Sequence, residues 1–302
     1  VNDRPRIAII GPGKVGTALG MLAAKAGWPV AAVGGRDASR TAEAAGLIGP
    51  ATRACSLVEA AGAGELVLLT VSDDAIEPVC SQLAQAGALA RGAIVAHCCG
   101  ALGSDALLAA AAVSPRPLGS MHPLQTFPSV QAALERIPGT YFFCEGDAAA
   151  TAVLERLAAE IGGRPVRIEA AAKPLYHAAA VVASNYLVVL MDSALAIASA
   201  AGIQREIAKA ALAPLVRATL DNVLRMGPEA ALTGPISRGD VTTIRRHVEA
   251  LAKAPGHQTM LYAALGGAAA ELAARTGRIS PDDAMAIWRE LMQVHARPRG
   301  GK

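Results

Sequence analysis

Residues 6–20, RIAIIGPGKVGTALG, decide the fold of this 302-residue chain. Within it IAII (7–10) is an unbroken apolar run, partly β-branched, which is the pattern of a strand buried on both faces of a parallel sheet. It enters G-P-G-K-V-G directly, and an apolar helix over about residues 14–26 follows. A strand, a glycine-rich turn and a helix in that order give G-x-G-x-x-G its physical meaning. Gly11 permits the tight turn, Gly13 lets a pyrophosphate approach the backbone, and Gly16 lets the helix pack on the strand. Pro12, Lys14 and Val15 lie in the same turn, where the free N–H groups of the helix start hold phosphates. The segment therefore predicts dinucleotide binding.

The second strand, PVAAVGG (29–35), ends at Gly35-Arg36-Asp37, where the adenosine ribose of a dinucleotide is read. Arg36, Ser39 and Arg40 fit a 2′-phosphate, so NADP(H) is the expected cofactor and NAD(H) the second choice. Asp37 has two readings, a cap for a helix over 38–45 or a ligand for the ribose. ELVLLTV (65–71) is a further buried strand, ending at Val71, Ser72 and Asp73. These sit where ligands bind in open α/β sheets, although helix capping is the stronger reading for the acidic pair Asp73-Asp74. GAIVAHCCG (92–100) brings His97, Cys98 and Cys99 to the same edge, and RPLGSMHPLQTF (116–127) adds Ser120, His122 and Gln125. GTYFFCEG (139–146), a helix over 147–161 and RPVRIEA (164–170) complete the alternation. The pattern predicts an α/β fold with an N-terminal doubly wound parallel Rossmann sheet, over residues 1–168.

From residue 169 to 302 the pattern becomes all-helical. AKPLYHAAAVVASNYLVVLMDSALAIASA (172–200) reads as one helix of about seven turns, buried on all sides. At helical spacing Lys173, His177 and Ser184 lie within about 40° of one another, with Asn185 and Asp192 on an adjacent face. Further helices are expected over about 204–226, 240–254, 256–276 and 281–296, broken at Gly227-Pro228, Gly234-Pro235 and Pro255-Gly256. The turn LTGPISRGD (232–240) carries Ser237 and Arg238. Arg238 is either a bidentate clamp for a substrate carboxylate or a solvated loop charge.

Composition excludes several classes. A net charge of +3, with 3% aromatics, gives neither the basic surface nor the stacking platforms of a nucleic-acid binder. The five cysteines, Cys55, Cys80, Cys98, Cys99 and Cys144, are odd in number and lie in apolar runs, so they read as reduced thiols of a cytoplasmic protein. None has metal-ligand spacing. The 172–200 helix is the one stretch comparable to a membrane span, but its polar residues at mid-depth favour a subunit or domain core. No membrane partner is expected, and a homodimer through the C-terminal helices is.

With these segments laid out, the chain resembles the oxidoreductases that join a Rossmann-like domain to the domain of unknown function 2520. GPGKVGTALG, TVSDDAI, HCCGALGSD, SMHPLQTF, KPLYHAAAVVASN and LTGPISRGD carry the resemblance, from residue 6 to about 277. It is similar in architecture to ketopantoate reductase, pyrroline-5-carboxylate reductase and the 6-phosphogluconate and 3-hydroxyisobutyrate dehydrogenases. In the last group a catalytic Lys opens the first C-terminal helix. The resemblance places Lys173 there, with His177 where that group has Asn. What it implies is hydride transfer between NADP(H) and a small carboxylate-bearing 2-oxo or hydroxy acid, with an imino-acid reductase or a non-catalytic NADP(H) sensor as alternatives. Reducing a carbonyl builds charge on oxygen, so a proton donor is needed. Lys173 is the first candidate, with His177 orienting it, and His122 the second. His97 is the third, a structural role being equally open. Ser184 and Asn185 would hold substrate or nicotinamide, and Ser237 and Arg238 the carboxylate.

Overall fold

The computed structural model describes residues 4–251 and 257–296. Two compact units divide the chain, Val1–Ala183 and Ser184–Lys302. The first therefore runs past the expected boundary at residue 168 and takes in the whole helix that begins at Lys173.

The first unit is built on a sheet of eight strands in the order β3-β2-β1-β4-β5-β6-β7-β8. The strands are β1 (Ile7–Ile10), β2 (Val30–Gly34), β3 (Arg53–Cys55), β4 (Leu66–Leu69), β5 (Ile94–His97), β6 (Leu118–Pro123), β7 (Tyr141–Gly146) and β8 (Arg164–Arg167). All neighbouring pairs are parallel except β6 and β7, which run antiparallel, so the expected parallel sheet is a mostly parallel one. That reversal sets Ser120 of β6 directly opposite Glu145 of β7. Around the sheet lie α1 (Lys14–Lys25), α2 (Ala38–Ile48), α3 (Leu57–Ala63), α4 (Ile76–Gln85), α5 (Leu108–Val113), α6 (Val130–Arg136), α7 (Ala148–Glu160) and α8 (Lys173–Ala183).

The continuous apolar runs follow from burial on both faces. Ile7, Ile9, Leu66 and Leu68 join one core cluster, while Ala8, Ile10, Val67 and Leu69 join the other. Successive side chains of a strand point to opposite faces, so neither face can be polar here. The chain leaves β1 towards β2 and β3, then returns to β4 on the other side of β1. This reversal opens a crevice at the carboxyl ends of β1 and β4.

The second unit contains α9 (Asn185–Ala200), α10 (Arg205–Ala231), α11 (Val241–Leu251), α12 (Gln258–Arg275) and α13 (Pro281–Ala296). Ile244, Val248, Ala270, Ala273, Ile287 and Leu291 form its core. Gly227 breaks α10 with φ 81° and ψ 160°, at the expected Gly-Pro step. The expected break at Pro255-Gly256 lies outside the described residues.

The segment 172–200 departs most from its expectation. It is not one helix: Ser184, at φ −115° and ψ −67°, separates α8 from α9. Nor is it buried all round, since only 11% of its most apolar window is covered, at a mean hydropathy of 1.8. Leu175 is 80% and Val188 69% exposed. By length and composition alone this stretch could cross a membrane. Apolarity on every side measures what a helix can bury, not what the same chain supplies to cover it.

Candidate functional site

The glycine-rich turn has the shape its sequence requires. Gly11 sits at φ 111°, where other residues are strained, and a Cβ there would stand 2.9 Å from the Thr70 backbone. A Cβ on Gly16 would collide with the Thr70 hydroxyl and the Gly11 carbonyl, which is why α1 can lie so close to β1. Thr70, just past β4, donates through Oγ1 to the Gly11 carbonyl at 2.8 Å and so clamps the turn. Gly13 precedes α1 without a side-chain cap, leaving the first N–H groups of the helix unclaimed by any side chain. Lys14 is exposed beside them, and Pro12 and Gly35 pack so closely that a Cβ on Gly35 would lie 2.8 Å from the Pro12 ring.

At the end of β2, Asp37 caps α2 by accepting from the Arg40 N–H at 3.1 Å, which selects the capping reading of that residue. Arg36, Ser39 and Arg40 are exposed around it. Neither guanidinium has a carboxylate partner among the described residues. Ser72 precedes a short 3-10 turn, Asp73–Ala75, without a side-chain capping bond.

A cleft of about 190 Å³ opens at the carboxyl ends of β4, β5 and β6, beside the first turn of α1. Val15, Thr70, Val71, Asp73, Cys98, Cys99, His122, Pro123, Gln125 and Phe127 line it. Of the residues singled out in the sequence for cofactor binding or catalysis, Val15, Val71, Asp73 and His122 are therefore at the cleft. Among the described residues Asp73 is the only carboxylate in this lining, and no lysine or arginine joins it. The thiols add no charge, because burial pushes Cys98 up to about 12 and raises Cys99 as well.

His122 stands at the end of β6 and shares a 2.7 Å hydrogen bond with the Tyr176 hydroxyl through Nδ1. Burial, with the nearby His177 and Lys173, lowers its pKa to about 4, so the imidazole is neutral at physiological pH. Burial also raises Tyr176, which keeps the phenol protonated. The ring of His177 meets that of His122 edge-on at 6.0 Å between centroids. Both rings close over Gly100: a Cβ there would stand 2.7 Å from Cδ2 of His177 and 2.8 Å from Cε1 of His122. Tyr176 and His177 follow Lys173 by three and four residues, which puts all three on one face of α8.

Lys173 lies away from the cleft, and His97 takes the structural one of the two roles open to it. A general acid needs its proton in the open cleft, but the Lys173 side chain is fully buried and absent from the lining. Its Nζ donates to Ser120 Oγ at 2.5 Å and to the Cys99 carbonyl at 3.1 Å, and lies 4.0 Å from Glu145 Oε2. Burial lowers its pKa, with the Glu145 carboxylate opposing that shift. His97 is also fully buried. Its Nδ1 accepts from the Cys99 N–H at 3.2 Å, so Nε2 carries the proton and donates to the Gly103 carbonyl at 2.9 Å. With both nitrogens engaged, the ring braces the 97–104 loop. Burial lowers its pKa too.

Ser184, Asn185, Ser237 and Arg238 belong to the second unit. Ser184 marks the helix break, and Asn185 is exposed just beyond it. Ser237 donates to the Gly234 carbonyl at 2.9 Å within its turn. Sequence reasoning missed Thr70, Gly100, Glu145, Tyr176 and Phe127. Glu145, the lone acid within an apolar strand, was the clearest signal available, because an acid rarely enters such a run unpaired.

Residues 2–123 match the model of the Rossmann-like domain, and residues 140–269 match that of the domain of unknown function DUF2520. No curated protein matches the chain. Among solved structures, a protein of Thermotoga maritima is 25% identical, with TM-score 0.71, covering 89% of this chain and 98% of its own. An imine reductase of Streptomyces aurantiacus is 19% identical, with TM-score 0.64, over 97% of this chain and all of its own. Pyrroline carboxylate reductase of Plasmodium falciparum, solved with NADP bound, is 15% identical, with TM-score 0.55, over 90% of this chain and 98% of its own. The chain pairs a Rossmann-like domain with a DUF2520 domain, the two-domain family that its motifs resemble.

Proposed function

We propose that the protein is an NADP(H)-dependent oxidoreductase that reduces the C=N bond of a small cationic imine. The carrying observation is the charge of the cleft, whose lining among the described residues holds Asp73 and no lysine or arginine. An iminium ion gains from that carboxylate, whereas a 2-oxo acid would bring a second negative charge towards it. The solved relatives named as imine and pyrroline carboxylate reductases support the same choice. This reading displaces the 2-oxo acid expected from the sequence.

The residues present fit a dinucleotide: Gly11, Gly13 and Gly16 leave backbone room that a Cβ would fill, and Arg36, Ser39 and Arg40 fit a 2′-phosphate. When bound, the nicotinamide supplies a hydride to the imine carbon while the C=N π pair moves to nitrogen. The imine arrives with its proton already on nitrogen, so the chain need not deliver one, which agrees with a Lys173 held out of the cleft. The task of the site is to orient a cation. When Nδ1 of His122 donates to Tyr176, the Nε2 lone pair is left to accept from an iminium N–H, and Asp73 supplies the opposing charge. His177 and Gly100 fix the imidazole plane.

The proposal includes a homodimer formed through the C-terminal helices. Tyr186, Leu187, Val188 and Val189 on α9, with Leu215, Leu220 and Leu224 on α10, are apolar and exposed. A second copy would cover them.

Asp73→Asn is the test of the substrate class. It should raise KM for a cyclic iminium about tenfold, which is the loss of roughly 1.4 kcal/mol of attraction, and leave NADPH affinity within about twofold. An unchanged KM would sink the charge argument.

A further inference from the structure

The geometry points to Lys173, Ser120 and Glu145 as a buried positioning unit that sets the His122–Tyr176–His177 group, whose His122 lines the cleft. The inference rests on the proposed reductase reading for its activity arm only.

Three observations meet at this unit. Glu145, 5% exposed, accepts from the Ser120 hydroxyl at 2.9 Å, the Ser104 hydroxyl at 2.6 Å and the Ser104 N–H at 3.0 Å. Lys173 bonds both Ser120 and the Cys99 carbonyl, and it opens the turn of α8 that carries Tyr176 and His177. Between Cys99 and Ser104 lies Gly100, the surface against which both imidazoles close. The loop is thus fastened at Cys99 by the ammonium and at Ser104 by the carboxylate, and the same ammonium fixes where α8 starts. One ion pair bridged by a serine therefore holds both the floor and the lid of the histidine group. Neither charge touches the cleft itself. A buried pair of this kind is weak evidence for stability but suits a role in fixing one geometry, because other packings would leave a charge unpaired.

The test separates bracing from positioning. Lys173→Met alone leaves Glu145 buried without its counter-charge and should melt early. Lys173→Met/Glu145→Gln removes both charges and should recover most of that loss. If the unit positions the site, the double variant still shows kcat for a cyclic imine reduced at least tenfold, with KM changed less. Nuclear Overhauser contacts from the Gly100 α-protons to Hε1 of His122 and Hδ2 of His177, strong in the native protein, should fade in the same variant. A double variant that recovers stability, kcat and both contacts together would overturn the proposal. Ser120→Ala keeps both charges and removes the bridge, so it serves if the double variant fails to fold. It should weaken the same two contacts, and unchanged contacts would count against the unit. Because those contacts are read without substrate, they decide the matter even if the wild-type protein reduces no imine.

Discussion

Replacing Gly100 by alanine tests the histidine group with the smallest possible change. Gly100 is not among the glycines with positive φ, so alanine meets no backbone strain there, and the whole effect must come from its Cβ. That carbon would stand 2.7, 2.8 and 2.9 Å from Cδ2 of His177 and from Cε1 and Nδ1 of His122. Carbon atoms in ordinary contact keep about 3.5 Å, so the rings must retreat by roughly 0.8 Å. Nδ1 is also the atom bonded to Tyr176 at 2.7 Å, so retreat breaks that bond or drags α8 with it. Overpacking of this kind costs about 1–3 kcal/mol, within which a lost hydrogen bond accounts for about 1. Thermal unfolding should therefore shift down by a few degrees. A misplacement near 1 Å can lower a rate about 100-fold, so NADPH-dependent imine turnover should fall between about 10- and 100-fold. Gly46→Ala is the control for an added methyl, since a Cβ there meets nothing within 4 Å, and within α2 it should gain about 0.5–1 kcal/mol and leave turnover unchanged. If Gly100→Ala melted and turned over like Gly46→Ala, the group would not depend on that close approach.

Two further outcomes follow from the charges. The native protein holds His122 neutral to about pH 4, whereas the unfolded chain takes up that proton near 6.5. Stability from this residue is therefore whole above pH 6.5 and falls as pH drops towards 4, by up to about 3 kcal/mol. His122→Gln should flatten the acid limb of stability in that window, and an unchanged limb would contradict the assignment. Arg36→Ala should weaken NADPH about tenfold, the worth of one charged contact to a 2′-phosphate, and leave NADH within about twofold. Equal losses for both cofactors would assign the arginine another role.

The parts legible in the sequence were those set by local rules. GPGKVGTALG specified its own turn, because each glycine answers a steric demand within a few residues. The strands and most of the helices of the first unit followed from unbroken apolar runs and the breaks between them. The roles of Lys173 and His97 were not legible, because direction depends on partners 53 to 74 residues away for Lys173, in the bonds to Ser120 and Cys99. For His97 the Cys99 N–H is close in sequence, yet its use of the ring nitrogen depends on how the loop folds back. Tyr176 stood in plain view between Lys173 and His177, but nothing local announced a histidine 54 residues earlier as its partner. The 172–200 segment failed for a different reason, since apolarity says nothing of which molecule covers it.

The central claim is a preference for a cationic C=N substrate over a 2-oxo acid. The most direct measurement is NADPH oxidation by the wild-type protein, followed by absorbance with a cyclic imine and with a 2-oxo acid of equal size. The account predicts a kcat/KM for the imine at least tenfold above that for the oxo acid, the factor carried by about 1.4 kcal/mol of charge preference. Turnover of the oxo acid with the imine left untouched would contradict it.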